Sequence, residues 1–173
     1  KEMLMSTGGH TFNQVKKNIN KYDFIKNPVF LHCTSNYPTE IGSQNLDVIK
    51  ELSKIKNIKV GYSSHDKQYE IVFLAAAYGA EYLERHITID KLGDGLDDSS
   101  SSTLDEFKSM STVLNNYKEI KGDVKKHVNQ GEIINLQNLG TSLYASKNID
   151  SGGNLTSNDF VIQAPRKGLT INE

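Results

Sequence analysis

Two histidines, His65 in VGYSSHD and His86 in YLERHIT, each stand where a short apolar run gives way to polar residues. Neutral imidazoles at matching heights on neighbouring strands, about 4.8 Å apart, can share one metal ion. Mn²⁺, Zn²⁺ and Fe²⁺ all suit a mixed nitrogen and oxygen site. Glu84 stands two positions before His86 and so shares its side of the strand. It can ligate, act as an acid/base group or hydrogen-bond a substrate. Arg85 points to the other side and reads as structural. Taken singly, each histidine is also compatible with a hydrogen-bonded core or surface residue. Other polar clusters follow apolar runs. Ser6, Thr7, Gly8 and Gly9 can turn N–H groups and hydroxyls toward a phosphate or carboxylate, or form a plain strand-to-helix turn, with His10 a surface loop residue. In HCTSNYPT, His32 and Cys33 fall on opposite faces, Thr34, Ser35, Asn36 and Tyr37 offer hydrogen-bonding groups, and Pro38 stiffens the loop. The acidic stretch DKLGDGLDDSSSS lacks the spaced oxygens of an EF-hand. It is either a mobile loop or the source of one carboxylate beside the histidines.

These residues need a scaffold of repeated short strands. Strand candidates run over Glu2–Met5, Val29–Cys33, Ile58–Tyr62 and Tyr82–Ile87, with starts about 24 to 29 residues apart. Phe12, Val15, Ile19 and Tyr22 space as one helical face behind a Thr11 N-cap. Leu46, Ile49, Leu52 and Ile55 serve a second helix, and Tyr69–Ala77 a third, stopped by Gly79. Strand and helix alternating at this period predict a parallel sheet, whose chemistry sits at the strands' carboxyl ends. Thr103 and Glu106 form a capping box for a further helix with Phe107, Met110, Val113, Leu114 and Tyr117 on its apolar face. The polar stretch 119–139 reads as a linker. Beyond it, strands over Ser142–Ala145 and Phe160–Gln163, a turn at Ile149–Asn154 and a second capping box from Thr156 to Asp159 suggest a small β-rich module.

Composition narrows the function classes. The 173 residues carry a formal net charge of -1, without the basic excess of a dedicated nucleic-acid binder. The basic cluster Lys121–His127 is short and lacks interleaved aromatics, as in a solvated segment. No apolar stretch approaches the length of a membrane span. Cys33 is the single cysteine, so no intrachain disulfide forms, in keeping with a reducing, cytoplasmic setting.

Taken together, LMSTGG, LHCTSNYPTEIGSQNLDVIKEL, VGYSSHD, GAEYLERHITID, GLDDSSSSTLDEFKSM and SLYASKNIDSGGNLTSNDFVIQAPRKGL resemble the sialic acid synthase (N-acetylneuraminate synthase-like) family, in family order and over nearly the whole chain. The resemblance implies an α/β fold: a TIM-type barrel, represented here by roughly its fifth to eighth strands over 1–118, followed after the linker by a small SAF, or antifreeze-like, domain over 140–173. The first four strands are then expected to lie outside this sequence, which begins inside an element. The resemblance also implies condensation of phosphoenolpyruvate with N-acetylmannosamine or a related 2-acetamido sugar to a nonulosonic acid and phosphate. A domain-swapped homodimer is implied as well, with no membrane or nucleic-acid partner. His65 and His86 match the family's metal ligands, for Mn²⁺ or another divalent ion such as Mg²⁺ or Co²⁺. Ser6 and Ser63 match serines that contact phosphoenolpyruvate, and Tyr37 and Asp97 match residues near the sugar. Glu84 matches the glutamate near the reacting groups.

The departures from that pattern cluster on the sugar side. Ser64 replaces an aspartate before the first metal histidine, and Ser35 an asparagine that contacts the sugar in some members. The loop after ERHIT reads GDGLDDSSSS where prolines are usual. Ala164, not arginine, precedes Pro165, with Arg166 displaced. A legionaminate-, pseudaminate- or bacillosamine-type sugar therefore stays open. One rival is another metal-dependent barrel enzyme, an aldolase or isomerase, with Lys91 the nearest candidate for a pocket lysine. The other is a non-catalytic carbohydrate-binding or structural fragment.

Overall fold

Four short apolar runs form one parallel sheet. In the computed structural model, which describes residues 2–22 and 24–173, the strands are β1 (Met3–Ser6), β2 (Pro28–Cys33), β3 (Lys59–Ser64) and β4 (Tyr82–Arg85). They pair in chain order, β1-β2-β3-β4, all parallel. Every residue of β2, PVFLHC, is buried, as befits a parallel strand covered on both faces.

Between the strands run α1 (Phe12–Ile19), α2 (Asp47–Ser53) and α3 (Ile71–Ala77). Helix α1 starts at Thr11, whose side chain accepts from the Gln14 N–H while Gln14 Oε1 accepts from the Thr11 N–H, a reciprocal cap. Val15 and Ile19 of α1, Ile49 and Leu52 of α2 and Ala75 of α3 pack with Phe30, Val60 and Tyr62 in a single core. Side chains alternate along a strand. Phe30, Val60 and Tyr62 thus leave Cys33 and Ser63 on the opposite face. The period-2 pattern splits the sheet into a helix-covered outer face and an inner face carrying the candidate polar residues.

After β4, the helix α4 (Leu104–Asn115) begins at the expected Thr103–Glu106 capping box. The short α5 (Tyr117–Lys121) follows, and Tyr117 ties this region to α3 by donating to the Ala76 carbonyl at 2.9 Å. The chain divides into two units, Lys1–Lys121 and Gly122–Glu173. The second contains α6 (Gln130–Leu139) and the antiparallel pair β5 (Ser142–Ala145) and β6 (Phe160–Gln163). Buried Ser142 accepts from the Lys167 and Gly168 N–H groups at 3.0 and 3.1 Å. Asp159 accepts from the Thr156 N–H at 2.8 Å. No helix among the described residues is long and apolar enough to cross a membrane.

Three elements differ from the sequence expectation. Residues 119–139, read as a linker, hold the end of α5 and all of α6, whose start is a capping box of Asn129 with Glu132. Strand β3 runs on through Ser64, so Ser63 and Ser64 are strand residues. Strand β4 stops at Arg85, and Ile87 pairs instead with Ser102 in an isolated parallel bridge. The returning loop supplies that bridge: Ser102 N–H donates to His86 O and Thr88 N–H to Ser102 O, both at 2.9 Å.

Candidate active site

The inner-face residues converge at the carboxyl ends of β1 to β4. Ser63 sits beside Cys33 on one side and Glu84 on the other, and its hydroxyl donates to Glu84 Oε1 at 2.8 Å. His65 and His86 follow directly on β3 and β4, with ring centroids 5.3 Å apart. His65 is buried, whereas 43% of the His86 side chain is exposed. Tyr37, from the loop after β2, lies against both, 4.3 Å from the His65 ring and 6.0 Å from the His86 ring. Asp97 completes this side, with Oδ2 3.9 Å from His86 Nδ1. Its neighbour Asp98 holds the loop by accepting from Thr88 Oγ1 at 2.6 Å and from the Gly95 N–H at 2.8 Å.

The β1 end supplies the other side. Gly8 turns so close beneath the β2 loop that a Cβ would overlap Ser35 Oγ unless that side chain moved. Ser35 Oγ lies 3.4 Å from Cys33 Sγ, and His65 Nδ1 lies 3.8 Å from the same sulfur. Burial pushes the Cys33 thiol up, but contacts with His65, Ser35 and Ser6 outweigh it and bring the thiol down to about 7. Burial pulls the His65 imidazole down, and the Cys33 contact more than offsets it, leaving His65 raised. His10 stays outside this group, bonded to the Gly8 carbonyl at 2.9 Å. All the sequence-predicted site residues thus share one mouth: Ser6 and Ser35 around Cys33, Ser63 with Glu84, and Tyr37, His65, His86 and Asp97 together. Lys91, the nearest candidate lysine for an aldolase reading, pairs with Glu106 at 3.0 Å.

The outer face at the same height is a saturated polar network. Arg85 and Asp66 form an ion pair at 3.2 Å, their side chains 2% and 0% exposed. Ser64 Oγ donates to Asp66 Oδ2 at 2.7 Å. The Tyr62 hydroxyl lies 2.5 Å from Gln44 Oε1 and 3.2 Å from Asp66 Oδ2. Burial, then the Asp66 charge, drives Tyr62 well above the usual phenol range. The Gln44 carbonyl accepts from His32 Nε2 at 2.7 Å, and Thr39 N–H donates to the His65 carbonyl at 2.8 Å. Sequence reasoning set Arg85 on this side but missed its partners Ser64, Asp66 and Ser102. Ser102, like Gln44 and Thr39 elsewhere in this network, comes from a loop whose return path leaves no periodic signal.

Two imidazoles 5.3 Å apart suit a shared first-row ion. With metal–nitrogen distances of about 2.1 Å, rings ligated side by side keep their centroids roughly 5 Å apart. Among the described residues, no group of three or more His, Cys, Asp or Glu side chains is set to hold an ion. His65 and His86 are thus the pair that could hold an ion here.

Comparisons with known proteins bear on the family and the fold. A NeuB family model matches residues 1–126. A pseudaminic acid synthase of Campylobacter jejuni is 33% identical over 171 residues, taking in 98% of this chain and 50% of that protein. The N-acetylneuraminate-9-phosphate synthase of Mus musculus is 35% identical over 159 residues, 89% of this chain and 44% of its own length. The crystal structure of an N-acetylneuraminic acid synthetase from Leptospira borgpetersenii, in complex with citrate, matches with a TM-score of 0.66 at 30% identity, over 76% of this chain and 46% of that one. By that likeness the sheet is a curled parallel half-barrel, part of a TIM-type architecture. The chain spans about half the length of the curated relatives it matches.

Proposed function

The chain belongs to the NeuB family, and on that premise we propose that the protein condenses phosphoenolpyruvate with an N-acetylated amino sugar to give a nonulosonic acid and inorganic phosphate. The observation that carries the reading is the shared mouth in which the His65–His86 pair lies beside the Ser63–Glu84 hydrogen bond and Asp97. The names of the similar proteins, synthases of pseudaminic acid and of N-acetylneuraminate 9-phosphate, support a nonulosonic acid product; the sugar is taken to react in its open-chain form.

In this mechanism His65 and His86 would hold a divalent ion, Mn²⁺ or another such as Mg²⁺ or Co²⁺. When bound, it supplies Lewis-acid polarisation of the sugar's aldehyde oxygen. The chain's own residues orient the two substrates. Ser6 and Ser63 donate hydroxyl hydrogens to phosphoenolpyruvate oxygens, and Asp97 and Tyr37 hold the sugar hydroxyls. Positioning of this kind lowers the barrier by removing translational and rotational freedom beforehand. The C3 carbon of phosphoenolpyruvate then bonds to the aldehyde carbon, water adds at C2, and the C2–O bond to phosphate breaks to leave the 2-keto acid. Ser63 donates to Glu84 Oε1 at 2.8 Å. A substrate oxygen that takes over that serine hydrogen releases Glu84 Oε1 to hold the proton moved during water addition. Residues 140–173, within the Gly122–Glu173 unit, are read as an SAF-type domain that covers the partner's barrel mouth in a domain-swapped homodimer. The cytoplasm, where phosphoenolpyruvate is made, is the setting.

The test is phosphate release by the purified protein given phosphoenolpyruvate, Mn²⁺ and a panel of 2-acetamido sugars. Release that requires both the sugar and the ion is expected. Absence of release with every sugar in the panel contradicts the reading.

A further inference from the structure

Resting on the two-histidine metal reading, we propose that the Arg85 guanidinium is the positioning residue that sets the spacing of His65 and His86, and so the affinity of the site for a divalent ion. One planar group on the outer face reaches every segment that carries a predicted ligand or its neighbour. Arg85 Nη1 donates to Ser64 Oγ at 2.6 Å and to Asp66 Oδ1 at 3.2 Å, and Nη2 donates to the Asp66 carbonyl at 2.6 Å. Ser64 and Asp66 are the two neighbours of His65. Arg85 Nε donates to Ser102 Oγ at 2.6 Å, and the Ser102 N–H closes back on the His86 carbonyl at 2.9 Å. Arg85 itself directly precedes His86. The end of β3, the end of β4 and the return of the Asp97-bearing loop are thereby fixed to a single rigid fork.

The chemistry of the fork matters more than its charge. Four donor contacts leave in different directions from one plane, with the carboxylate partner fully buried. A lysine carries the charge but cannot reproduce the fixed geometry. Partners that orient metal-ligating imidazoles are often worth about 10- to 100-fold in metal affinity. Here the orientation acts through the backbone on both sides of each histidine, so both rings move when the fork is lost.

The experiment titrates the purified protein with Mn²⁺, following the free-ion electron paramagnetic resonance signal, and records the visible spectrum of the Co²⁺ form. Arg85→Lys is expected to weaken Mn²⁺ binding about tenfold or more and to change the Co²⁺ spectrum, at temperatures where circular dichroism shows it folded. Ser102→Ala, which cuts only the Nε arm, shifts affinity in the same direction by a smaller factor. Leu52→Ala, a core truncation in α2, is the control: it lowers the melting temperature while leaving Mn²⁺ affinity and the Co²⁺ spectrum as in wild type. Folded Arg85→Lys with wild-type affinity and spectrum overturns the proposal. If Arg85→Lys does not fold, an unchanged affinity in Ser102→Ala overturns it. If wild-type binding is weak, or survives His65→Ala, the two-histidine reading fails, and the failure is then not one of the fork.

Discussion

The two faces of β3 and β4 at one height are built from adjacent residues and behave oppositely. On the inner face Glu84 and His86 are exposed beside buried Ser63 and His65, and Ser63 holds Glu84 by a single hydrogen bond. On the outer face Ser64, Asp66 and Arg85 are buried, and each has several partners. This division lets one strand keep some groups accessible while others are locked. A strand that alternates side to side can place a rigid, fully paired ionic network one residue away from loosely held groups that substrates must reach. Under the proposed mechanism, stability resides in one set of residues and chemistry in the other.

The largest effect should come from breaking the paired face. Asp66→Ala leaves the Arg85 guanidinium buried without its carboxylate, and removing one partner of a buried pair costs about 3–5 kcal/mol. Chemical denaturation should show that loss directly. Glu84→Gln, on the inner face, should do the reverse. Phosphate release should fall by about 10²- to 10⁴-fold, with unfolding free energy within about 0.5 kcal/mol of wild type. Equal stability losses in the two variants would dissolve the contrast between the faces.

The smallest effects lie away from both faces. Thr103→Ala removes the N-cap of α4 and should cost about 1 kcal/mol without changing metal affinity, as read by melting and Mn²⁺ titration. Its partner Glu106 gives a pH signature. Burial raises the carboxyl, but the Thr103 N–H and Lys91 outweigh it and hold Glu106 below its ordinary value of 4.5. A depressed carboxyl stabilises the fold above its unfolded pKa and loses that contribution as pH falls through the folded value. The difference in stability between wild type and Glu106→Gln should therefore be full at neutral pH and shrink below about pH 4.5. A difference that grows with acid would reverse the sign assigned here.

Much of the positioning scaffold was legible because its signals are local. The apolar run PVFLHC, the helical spacing of Phe12, Val15 and Ile19 and the Thr103–Glu106 cap each lie within one element. Period-2 alternation was enough to send Arg85 and Glu84 to opposite sides. Helix α6 escaped because Ile133, Ile134, Leu136 and Leu139 all remain substantially exposed, so they trace no single buried stripe. Its start was nonetheless written in the Asn129–Glu132 cap. The early end of β4 and the partners of Arg85 were illegible for another reason. Both depend on Ser102 returning across a loop of more than a dozen residues, a closure that no local pattern encodes.

If His65 and His86 together form the metal site of a condensing enzyme, Mn²⁺ titration of wild type, His65→Ala and His86→Ala, read by the free-ion resonance signal, should reveal it. One ion per chain is expected in the wild type, and at least a tenfold loss of affinity in either single variant, with circular dichroism unchanged. Wild-type affinity in both alanine variants would contradict it.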